Sequence, residues 1–264
     1  MTTHEESGVR VEIFDRVATV TIDRPHVLNA VDDAAQTRLS EVWGELQEND
    51  DVWVVVLTGA GERSFCSGSD MSAGAQARSN LEFWAGANPD GYCGLTLRDS
   101  FTKPVIARVN GYALGGGMEL VNGCDIVIAA DSAVFGLVEP RVGRLAFDGT
   151  ILMTRRMPYT TAMGMLLTGR KASAEEMRAA GLVNEVVPLA ELDDAVDRWV
   201  QQILGCAPTS VRAIKEIARL TSHMPPRQAA RQYLPSFDAL FSSGNADEGV
   251  QAFREKRSPS WSYS

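Results

Sequence analysis

The sequence contains few of the residues that usually carry metal or nucleophilic chemistry. Only three of its 264 residues are histidines, and they lie far apart at His4, His26 and His223. The four cysteines are scattered and form no Cys-x-x-Cys pair: Cys66, Cys93, Cys124 and Cys206. These spacings give no support to a metal site, a histidine-based triad or a disulfide framework. We expect free thiols in a reducing compartment.

Basic residues and long apolar runs are also in short supply. Lysine and arginine number 25 against 34 acidic residues, and the formal net charge is −9. This balance disfavours a nucleic-acid partner, because phosphate binding requires a basic face. No run approaches the roughly 20 apolar residues that span a bilayer, and the polar, acidic first residues do not resemble a signal peptide. We therefore expect a cytoplasmic protein without membrane contact.

Hydrophobic periodicity predicts a layered α/β fold. Val9–Asp23 alternates like a hairpin, and Asp32–Asn49 has helical spacing with its first residue as the N-cap. Val52–Thr58 is a continuous apolar run of the buried-strand type. Two further buried strands are predicted at Val105–Val109 and Asp125–Ala129. A Rossmann fold fits less well, because no Gly-x-Gly-x-x-Gly follows the first strand.

The pattern changes towards the C-terminus. Ser173 and Glu176 form a capping box, which we interpret as structural. From Leu189 onward the chain is predicted to be helical, with segments near 190–204, 209–222, 226–242 and 245–257. We predict that residues 1–200 form the core and that residues 201–264 form a helical oligomerisation region.

A glycine-rich stretch between residues 109 and 125 is the strongest indication of chemistry. Gly115–Gly117 follow an apolar strand where a helix is predicted to begin, and Glu119 lies about one turn inside that helix. Free amides at a helix start bind negative charge, glycine allows close approach, and a nearby carboxylate can transfer protons. The pattern favours acid–base chemistry on a carbonyl compound. The alternative is a strand-to-helix turn whose glycines serve only close packing.

Two further segments could contribute to the same site. Ser64–Met71 follows a buried strand, and its small residues around Gly68 can form a turn whose amides face a ligand. An ordinary turn with Asp70 capping a helix explains this segment as well. Glu139 precedes Pro140, which disfavours helical geometry at the glutamate. Its carboxylate is therefore expected at the edge of an element, facing either a cleft or solvent.

Short motifs occur along the chain in this order: Arg24-Pro25 with Leu28-Asn29-Ala30, Phe65-Cys-Ser-Gly-Ser-Asp70, Asn110-Gly111 with Gly115-Gly-Gly117, Cys124-Asp125, Thr168-Gly169 and Ala180-Gly-Leu-Val183. Each is weak alone. As an ordered set running from about Val9 to Arg257, nearly the whole chain, they resemble the crotonase family, also called the enoyl-CoA hydratase/isomerase superfamily.

The resemblance implies a spiral of ββα units with a C-terminal helical region, assembled as a homotrimer or a dimer of trimers. It implies that the backbone amides of Ser69 and Gly116 form an oxyanion hole for the thioester oxygen of an acyl-CoA. Glutamates at Glu119 and Glu139 imply the hydratase branch, with syn addition of water to a 2-enoyl-CoA or the reverse dehydration. Glu119 would deprotonate the water and Glu139 would protonate the α-carbon. Alternatives are a double-bond isomerase, a hydrolase, a decarboxylase, a ring-cleaving enzyme or a non-catalytic acyl-CoA-binding protein.

The resemblance also implies binding residues, with acyl-CoA as substrate and no metal or other cofactor. For CoA they are Arg24, His26, Val27, Leu28, Cys66, Ser67 and Ser69. Phe253 and Lys256 would reach the CoA of a neighbouring subunit, although Lys256 could equally be a solvated charge. The acyl pocket would contain Met71, Tyr92, Leu114 and Phe147.

One segment departs from the family pattern. Where the family commonly has Pro-Gly-x-Gly-Gly, this chain has Ala146-Phe-Asp-Gly-Thr150. Phe147 adds bulk and Asp148 adds a third charge, so the acyl pocket could be reshaped or the chemistry altered. The nearby Arg141 and Arg144 could recognise an acidic acyl group or face solvent. Phe83, Trp84 and Tyr92 could form an aromatic lid over the acyl chain.

Overall fold

The computed structural model describes residues 7–71 and 88–263. The predictions for His4, Phe83 and Trp84 lie outside this part of the chain. The strands are β1 (Val9–Phe14), β2 (Val17–Ile22), β3 (Val54–Gly59), β4 (Ser64–Cys66), β5 (Val105–Val109), β6 (Tyr112–Leu114), β7 (Ile126–Ala130), β8 (Val134–Gly136), β9 (Ala172–Ser173) and β10 (Glu185–Val187).

The helices are α1 (Asp33–Glu48), α2 (Gly116–Gly123), α3 (Phe147–Arg156), α4 (Tyr159–Leu166), α5 (Ala174–Ala179), α6 (Leu192–Leu204), α7 (Pro208–Thr221), α8 (Pro226–Ala229), α9 (Ser236–Ser242) and α10 (Asn245–Glu255). None of the helices within the described residues is both long and apolar enough to cross a membrane.

Two sheets organise the body of the molecule. The larger has the order β1-β2-β3-β5-β7-β10, and the smaller has the order β4-β6-β8-β9. The predicted hairpin is confirmed: β1 and β2 pair antiparallel around Asp15 and Arg16, which have positive φ. The other pairs of the larger sheet are parallel. Every residue of β3 is buried, as its uninterrupted apolar sequence predicts.

The chain passes repeatedly from one sheet to the other and then into a helix. Strand β5 leads to β6 and α2, and β7 leads to β8 and α3. This repetition is the ββα spiral that the motifs imply. Because β6 and β8 are parallel, both lead towards their helices from the same edge of the smaller sheet, and the Gly149 amide at the start of α3 reaches Glu119 at the start of α2.

Local sequence signals predict several helix ends correctly. Asp32 accepts a hydrogen bond from the Ala35 amide at 2.9 Å and caps α1. The capping box of Ser173 and Glu176 is present at α5. The single helix predicted over 226–242 is wrong, because α8 ends at Ala229 and α9 starts at Ser236. Proline at position 235 disfavours helical geometry at the preceding residue and donates no amide hydrogen.

Helix α6 joins the C-terminal part to the body. Leu192, Val196 and Val200 are buried against the outer face of the larger sheet, in a second apolar cluster with Ile106 and Ile128. The boundary predicted after residue 200 falls inside this helix.

Arg156, at the end of α3, caps the far end of α2. Its guanidinium donates to the backbone carbonyls of Val121, Asn122 and Cys124 at 3.2, 2.7 and 2.6 Å. The last carbonyls of a helix have no partner within the helix, and these lie on buried residues. Arg156 therefore satisfies polar groups that would otherwise be buried at a free-energy cost.

We predict that Arg156→Met lowers the free energy of unfolding by about 2–3 kcal/mol, since unsatisfied buried acceptors cost about 1–3 kcal/mol each. Urea denaturation measures the loss. The matched control is Arg155→Met at the exposed neighbouring position, which should stay within about 0.5 kcal/mol of the unchanged protein. Equal stability of the two variants would contradict the capping role.

Candidate active site

The turn after β4 and the start of α2 are in close backbone contact. A Cβ atom on Gly117 would lie 2.0 Å from the carbonyl oxygen of Cys66, and one on Gly68 would lie 3.2 Å from the amide nitrogen of Gly116. Gly68 and Gly115 also have positive φ, at 98° and 55°. Glycine is therefore required both for the contact and for the backbone conformation. The two glycine segments singled out in the sequence form one site.

Backbone amides of both turns are available at this contact. Gly116 is the first residue of α2, so its amide has no acceptor within the helix. On the other turn, the Val31 amide donates to the carbonyl of Gly68 and the Asp70 amide donates to the carbonyl of Val31, each at 2.8 Å. Successive amides of an extended segment point to opposite sides. The Ser69 amide therefore faces away from Val31.

Glu119 is buried beside these amides, with 7% of its surface exposed. One carboxylate oxygen, Oε1, accepts a hydrogen bond from the Gly149 amide at 2.8 Å. The pKa of Glu119 is raised to about 8, chiefly by burial and to a smaller extent by the charges of Asp148 and Glu139, while the Gly149 hydrogen bond opposes the shift. The side chain is therefore suited to holding a proton near neutral pH.

Glu139 lies next to the glycine turn. It begins a short 3-10 helix, Glu139–Val142, and its Oε1 is 3.0 Å from the position that a Cβ on Gly115 would occupy. Its Oε2 is buried and has no hydrogen-bond partner among the described residues. Burial raises the pKa of Glu139 as well. The two glutamates are thus an interacting pair of partly desolvated carboxyl groups at the edge of the same turn.

The two segments expected to bind CoA lie side by side. The Ser67 amide donates to the carbonyl of Leu28 at 3.2 Å, and the Ser67 hydroxyl lies 3.5 Å from the carbonyl of Val27. His26 and Ser69 are exposed. Their contact with CoA stays a prediction.

Two of the expected CoA residues have special positions in the fold: the expectation for Cys66 requires correction, whereas contact of Arg24 with CoA stays a prediction. Cys66 is fully buried, and burial raises the pKa of its thiol to about 12, so it packs in the core and offers no surface to CoA. The Arg24 guanidinium pairs with Asp32 at 2.7 Å and Asp70 at 3.2 Å, and it also donates to the carbonyl of Ala30. Its charge is used to join the two segments. Asp70 takes part in this ion pair.

A buried amide side chain that sequence reasoning gave no role fixes the same turn. Asn29 donates to the carbonyls of Ser64 and Ala60 at 2.7 and 3.0 Å and accepts from the Arg24 amide at 3.0 Å. All of its polar atoms are therefore engaged with the segments that flank the site. Its presence in a motif was visible in the sequence, but its contacts depend on the tertiary fold.

The residues expected in the acyl pocket are placed differently from one another. The Tyr92 ring packs directly on Gly116, and Leu114 lies next to Gly136. Met71 and Phe147 are 65% and 41% exposed. Asp148 is not a third charge facing the pocket, because it is buried and accepts hydrogen bonds from the Tyr92 amide and the Thr96 hydroxyl.

The remaining candidates lie on the surface. Arg141 donates to the carbonyl of Thr168 at 3.2 Å, and Arg144 is exposed, which favours the solvent-facing alternative for both arginines. Phe253, which is 85% exposed, lies near the end of α10, and Lys256 follows it with a φ of 55°. Their contact with a neighbour's CoA stays a prediction. Within the part of the chain that the structure describes, no group of three or more His, Cys, Asp or Glu side chains could hold a metal ion.

Comparison with known proteins agrees with this geometry. A family model described as enoyl-CoA hydratase/isomerase matches residues 12–264. The chain is 38% identical over 254 residues to (E)-benzylidenesuccinyl-CoA hydratase of Thauera aromatica, covering 96% of this chain and 98% of the relative. It is 38% identical over 251 residues to carnitinyl-CoA dehydratase of Escherichia coli K12, covering 93% and 94%.

Solved structures show the same fold. Enoyl-CoA hydratase from Mycobacterium tuberculosis H37Rv has a TM-score of 0.86 and 33% identity, covering 98% of this chain and all of that one. Enoyl-CoA hydratase from Bacillus anthracis has a TM-score of 0.88 and 28% identity, covering 97% and all of that chain. The fold is therefore that of the crotonase superfamily. On the match of sequence and fold, the chain belongs to the enoyl-CoA hydratase/isomerase family.

The raised pKa of Glu119 predicts a pH-dependent stability. Because the folded-state pKa of about 8 exceeds the ordinary value of 4.5, the folded state holds this proton more tightly. The stability linked to that proton is complete below about pH 4.5 and is lost as the pH rises through 8. We predict that Glu119→Gln, which keeps an acceptor for the Gly149 amide, becomes more stable relative to the unchanged protein between about pH 5 and pH 9. The relative gain is on the order of a few kcal/mol.

Thermal melting across that pH range measures the effect as the difference between the two proteins, which cancels other titrating groups. The exposed Glu62 supplies the control, and Glu62→Gln should follow the unchanged protein at every pH. A constant difference between Glu119→Gln and the unchanged protein would show that burial does not perturb this carboxyl group.

Proposed function

We propose that the protein adds water to the double bond of a 2-enoyl-CoA, or removes water from the corresponding 3-hydroxyacyl-CoA. The carrying observation is the pair of buried carboxyl groups beside two converging glycine turns. Glu119 has one oxygen fixed by the Gly149 amide, and Glu139 has a buried oxygen with capacity to accept from a bound water. A water held between them over the double bond can be activated by one carboxylate while the other carboxyl group supplies a proton.

The glycine turns supply the second part of the proposal. Attack of water at the β-carbon moves negative charge onto the thioester oxygen. The amides of Ser69 and Gly116 would donate to that oxygen. Preorganised donors of this kind contribute typically about 2.7–4 kcal/mol each to the transition state. Close contact between Gly68 and Gly116 fixes their backbones before substrate binds, so little reorganisation is needed.

Proton transfer is best assigned to the glutamates as a pair. The sequence-based hypothesis makes Glu119 the base, yet its pKa of about 8 favours a protonated Glu119 at rest. The hypothesis and the raised pKa agree if the two glutamates share one proton. The ionised carboxylate then accepts a proton from water while the protonated carboxyl group delivers one to the α-carbon. This chemistry requires no metal or redox cofactor, and acyl-CoA enters as substrate.

The acyl group is the part of the substrate on which relatives differ. The names of the two relatives specify a benzylidenesuccinyl and a carnitinyl thioester. In this chain, the Tyr92 ring against Gly116 and the half-exposed Phe147 put aromatic surface near the site. We propose that the substrate carries a substituted enoyl group. The first comparison is between an enoyl-CoA with an aromatic substituent and crotonyl-CoA.

We predict that the purified protein removes the conjugated-enoyl absorbance of cinnamoyl-CoA or crotonyl-CoA. Glu119→Gln and Glu139→Gln should each lower kcat by about 10²–10⁴-fold, the usual contribution of a positioned acid or base. Glu62→Gln should be unchanged. Mass spectrometry of products separates the alternatives: a gain or loss of 18 Da supports hydration or dehydration. Unchanged mass with altered retention indicates isomerisation, and free CoA indicates hydrolysis. CoA binding without turnover on any thioester would favour a binding protein.

Self-association is proposed from an apolar surface on the C-terminal helices. Phe241, Val250 and Phe253 are 73%, 52% and 85% exposed and lie on α9 and α10. Large exposed apolar side chains on neighbouring helices are typical of subunit contacts. Burying this surface between copies would fit the trimer or dimer of trimers that the family resemblance implies.

Light scattering during size-exclusion chromatography tests the assembly. We predict a mass of three or six chains for the unchanged protein and a smaller species for Phe253→Glu, because a buried unpaired charge opposes association. Ile13→Glu, on the exposed part of β1, is the comparison substitution and should keep the native mass. A monomeric unchanged protein would contradict the proposal.

A further inference from the structure

Tyr92 belongs to a tightly constrained loop. Gly91, Cys93 and Gly94 all have positive φ, at 77°, 53° and 67°. The carbonyl of Cys93 accepts a hydrogen bond from the Trp43 indole at 2.9 Å, deep in the core. A Cβ on Gly94 would lie 2.8 Å from the Cα of Ser40. The loop is therefore held against α1 in a backbone conformation that most side chains disfavour, and this fixes the direction of the Tyr92 side chain.

A buried carboxylate anchors the same loop from the other side. Asp148 Oδ2 accepts from the Tyr92 amide and from the Thr96 hydroxyl, each at 2.6 Å, and the residue is only 8% exposed. A Cβ on Gly91 would lie 2.7 Å from that oxygen, so glycine is needed for its approach. The next residue, Gly149, donates to Glu119. One short segment thus contacts both the Tyr92 loop and the buried glutamate.

The phenol lies between the two turns of the glycine contact. A Cβ on Gly116 would lie 2.3 Å from Tyr92 Cζ and 2.7 Å from its hydroxyl oxygen. The Ser69 hydroxyl donates to that oxygen at 3.3 Å, which leaves the phenol's own proton for another acceptor. Burial raises the pKa of Tyr92 well above its ordinary value, so the phenol stays neutral and remains a donor.

Building on the proposed function, we propose that the Tyr92 hydroxyl is a third donor to the thioester oxygen, and that Asp148 is its positioning residue. The hydroxyl lies against Gly116 and next to Ser69, the two residues whose amides are assigned to that oxygen. A neutral phenol there strengthens its hydrogen bond as the oxygen becomes an enolate. Asp148 acts through the loop backbone and makes no contact with substrate. Its contacts with the Tyr92 loop explain how this one residue of Ala146–Thr150 affects the acyl site without entering it.

The first test uses Tyr92→Phe, which removes the hydroxyl and keeps the ring on Gly116. A donor that acts mainly on the enolate is expected to lower kcat by between about tenfold and a hundredfold, with KM changed less than about threefold. A spectroscopic readout independent of turnover is the absorbance of bound 4-(dimethylamino)cinnamoyl-CoA, whose band moves to longer wavelength when its carbonyl is polarised. The shift should be smaller in Tyr92→Phe. Tyr159→Phe, at a 66% exposed position, is the matched control and should retain both values.

The second test separates positioning from structural support. Asp148→Asn keeps an oxygen acceptor for the loop and should retain most of the band shift, whereas Asp148→Ala should lose as much as Tyr92→Phe. If Asp148 acts through Tyr92, the double variant Tyr92→Phe with Asp148→Ala should be no worse than Asp148→Ala alone. Additive losses would overturn the positioning role, as would a full shift in Asp148→Ala.

The outcomes distinguish the two proposals. If the unchanged protein binds the chromophore without any band shift and turns over no enoyl-CoA, the proposed hydratase site itself fails. If the unchanged protein shows the shift and Tyr92→Phe shows the same shift and kcat, only the third donor is excluded. Circular dichroism and melting of each variant identify any loss caused by unfolding, and Tyr92→Phe remains decisive because it deletes a single oxygen atom.

Discussion

Close backbone contact between the turn after β4 and the first turn of α2 is the constraint on which the site depends. Two amides from distant parts of the chain can face one atom only if no side chain separates their backbones. Gly68 and Gly117 meet this requirement, because a Cβ on either would collide with or crowd the other turn. The surrounding hydrogen bonds of Asn29 and the ion pairs of Arg24 maintain the contact. The glycine pattern is therefore a consequence of geometry at the site.

Helix α3 holds α2 at both ends. Near its own start, the Gly149 amide donates to Glu119, and at its end Arg156 caps the carbonyls of Asn122 and Cys124. Burial between these two helices raises the pKa of Glu119, and Arg156 satisfies the carbonyls at the end of the helix that carries it. Burying Glu119 has a free-energy cost. Its Oε1 oxygen and the carbonyls at the end of its helix have hydrogen-bond partners, which limits the total cost in this part of the fold. The stability of this helix pair and the proposed acid–base chemistry therefore depend on the same contacts.

Much of the fold could be predicted from local physics. The hairpin, the cap of α1, the capping box of α5 and the buried strands follow from alternation, capping chemistry and apolar runs within a few residues of each other. The glycine turns and the glutamates were identified because their residue types are unusual at those positions. The break at Pro235 was missed because helical periodicity outweighed a local proline signal that was present in the sequence.

Contacts between distant residues could not be predicted in this way. Asp148 and Tyr92 are 56 positions apart in the sequence, and Trp43 and Cys93 are 50 positions apart. No local pattern links the members of either pair. The sequence predicts Asp148 as a third charge in the acyl pocket, because a sequence shows that a side chain is charged but not which way it points. In the structure Asp148 is buried against the Tyr92 loop. Arg24 illustrates the same limit, because the sequence places it in a segment expected to bind CoA and does not reveal the two carboxylates that the fold brings close to it.

The segment Ala146–Thr150, which departs from the family's sequence pattern, shows which features the proposed acid–base site requires and which can vary. Gly149 is retained, and a Cβ there would lie 3.1 Å from Glu119 Cγ and 2.7 Å from a Leu137 methyl group, so the donor to Glu119 depends on glycine. Phe147 differs from the family pattern, and Asp148 occupies its variable position, without disturbing that donor. Their side chains have separate environments, because Phe147 is half-exposed and Asp148 is buried against the Tyr92 loop. Variation in this segment can therefore alter the wall that an acyl group meets while the carboxyl pair and the glycine contact stay the same. Under the proposed function, acyl selectivity and proton transfer would thus be controlled by adjacent residues that face different neighbours.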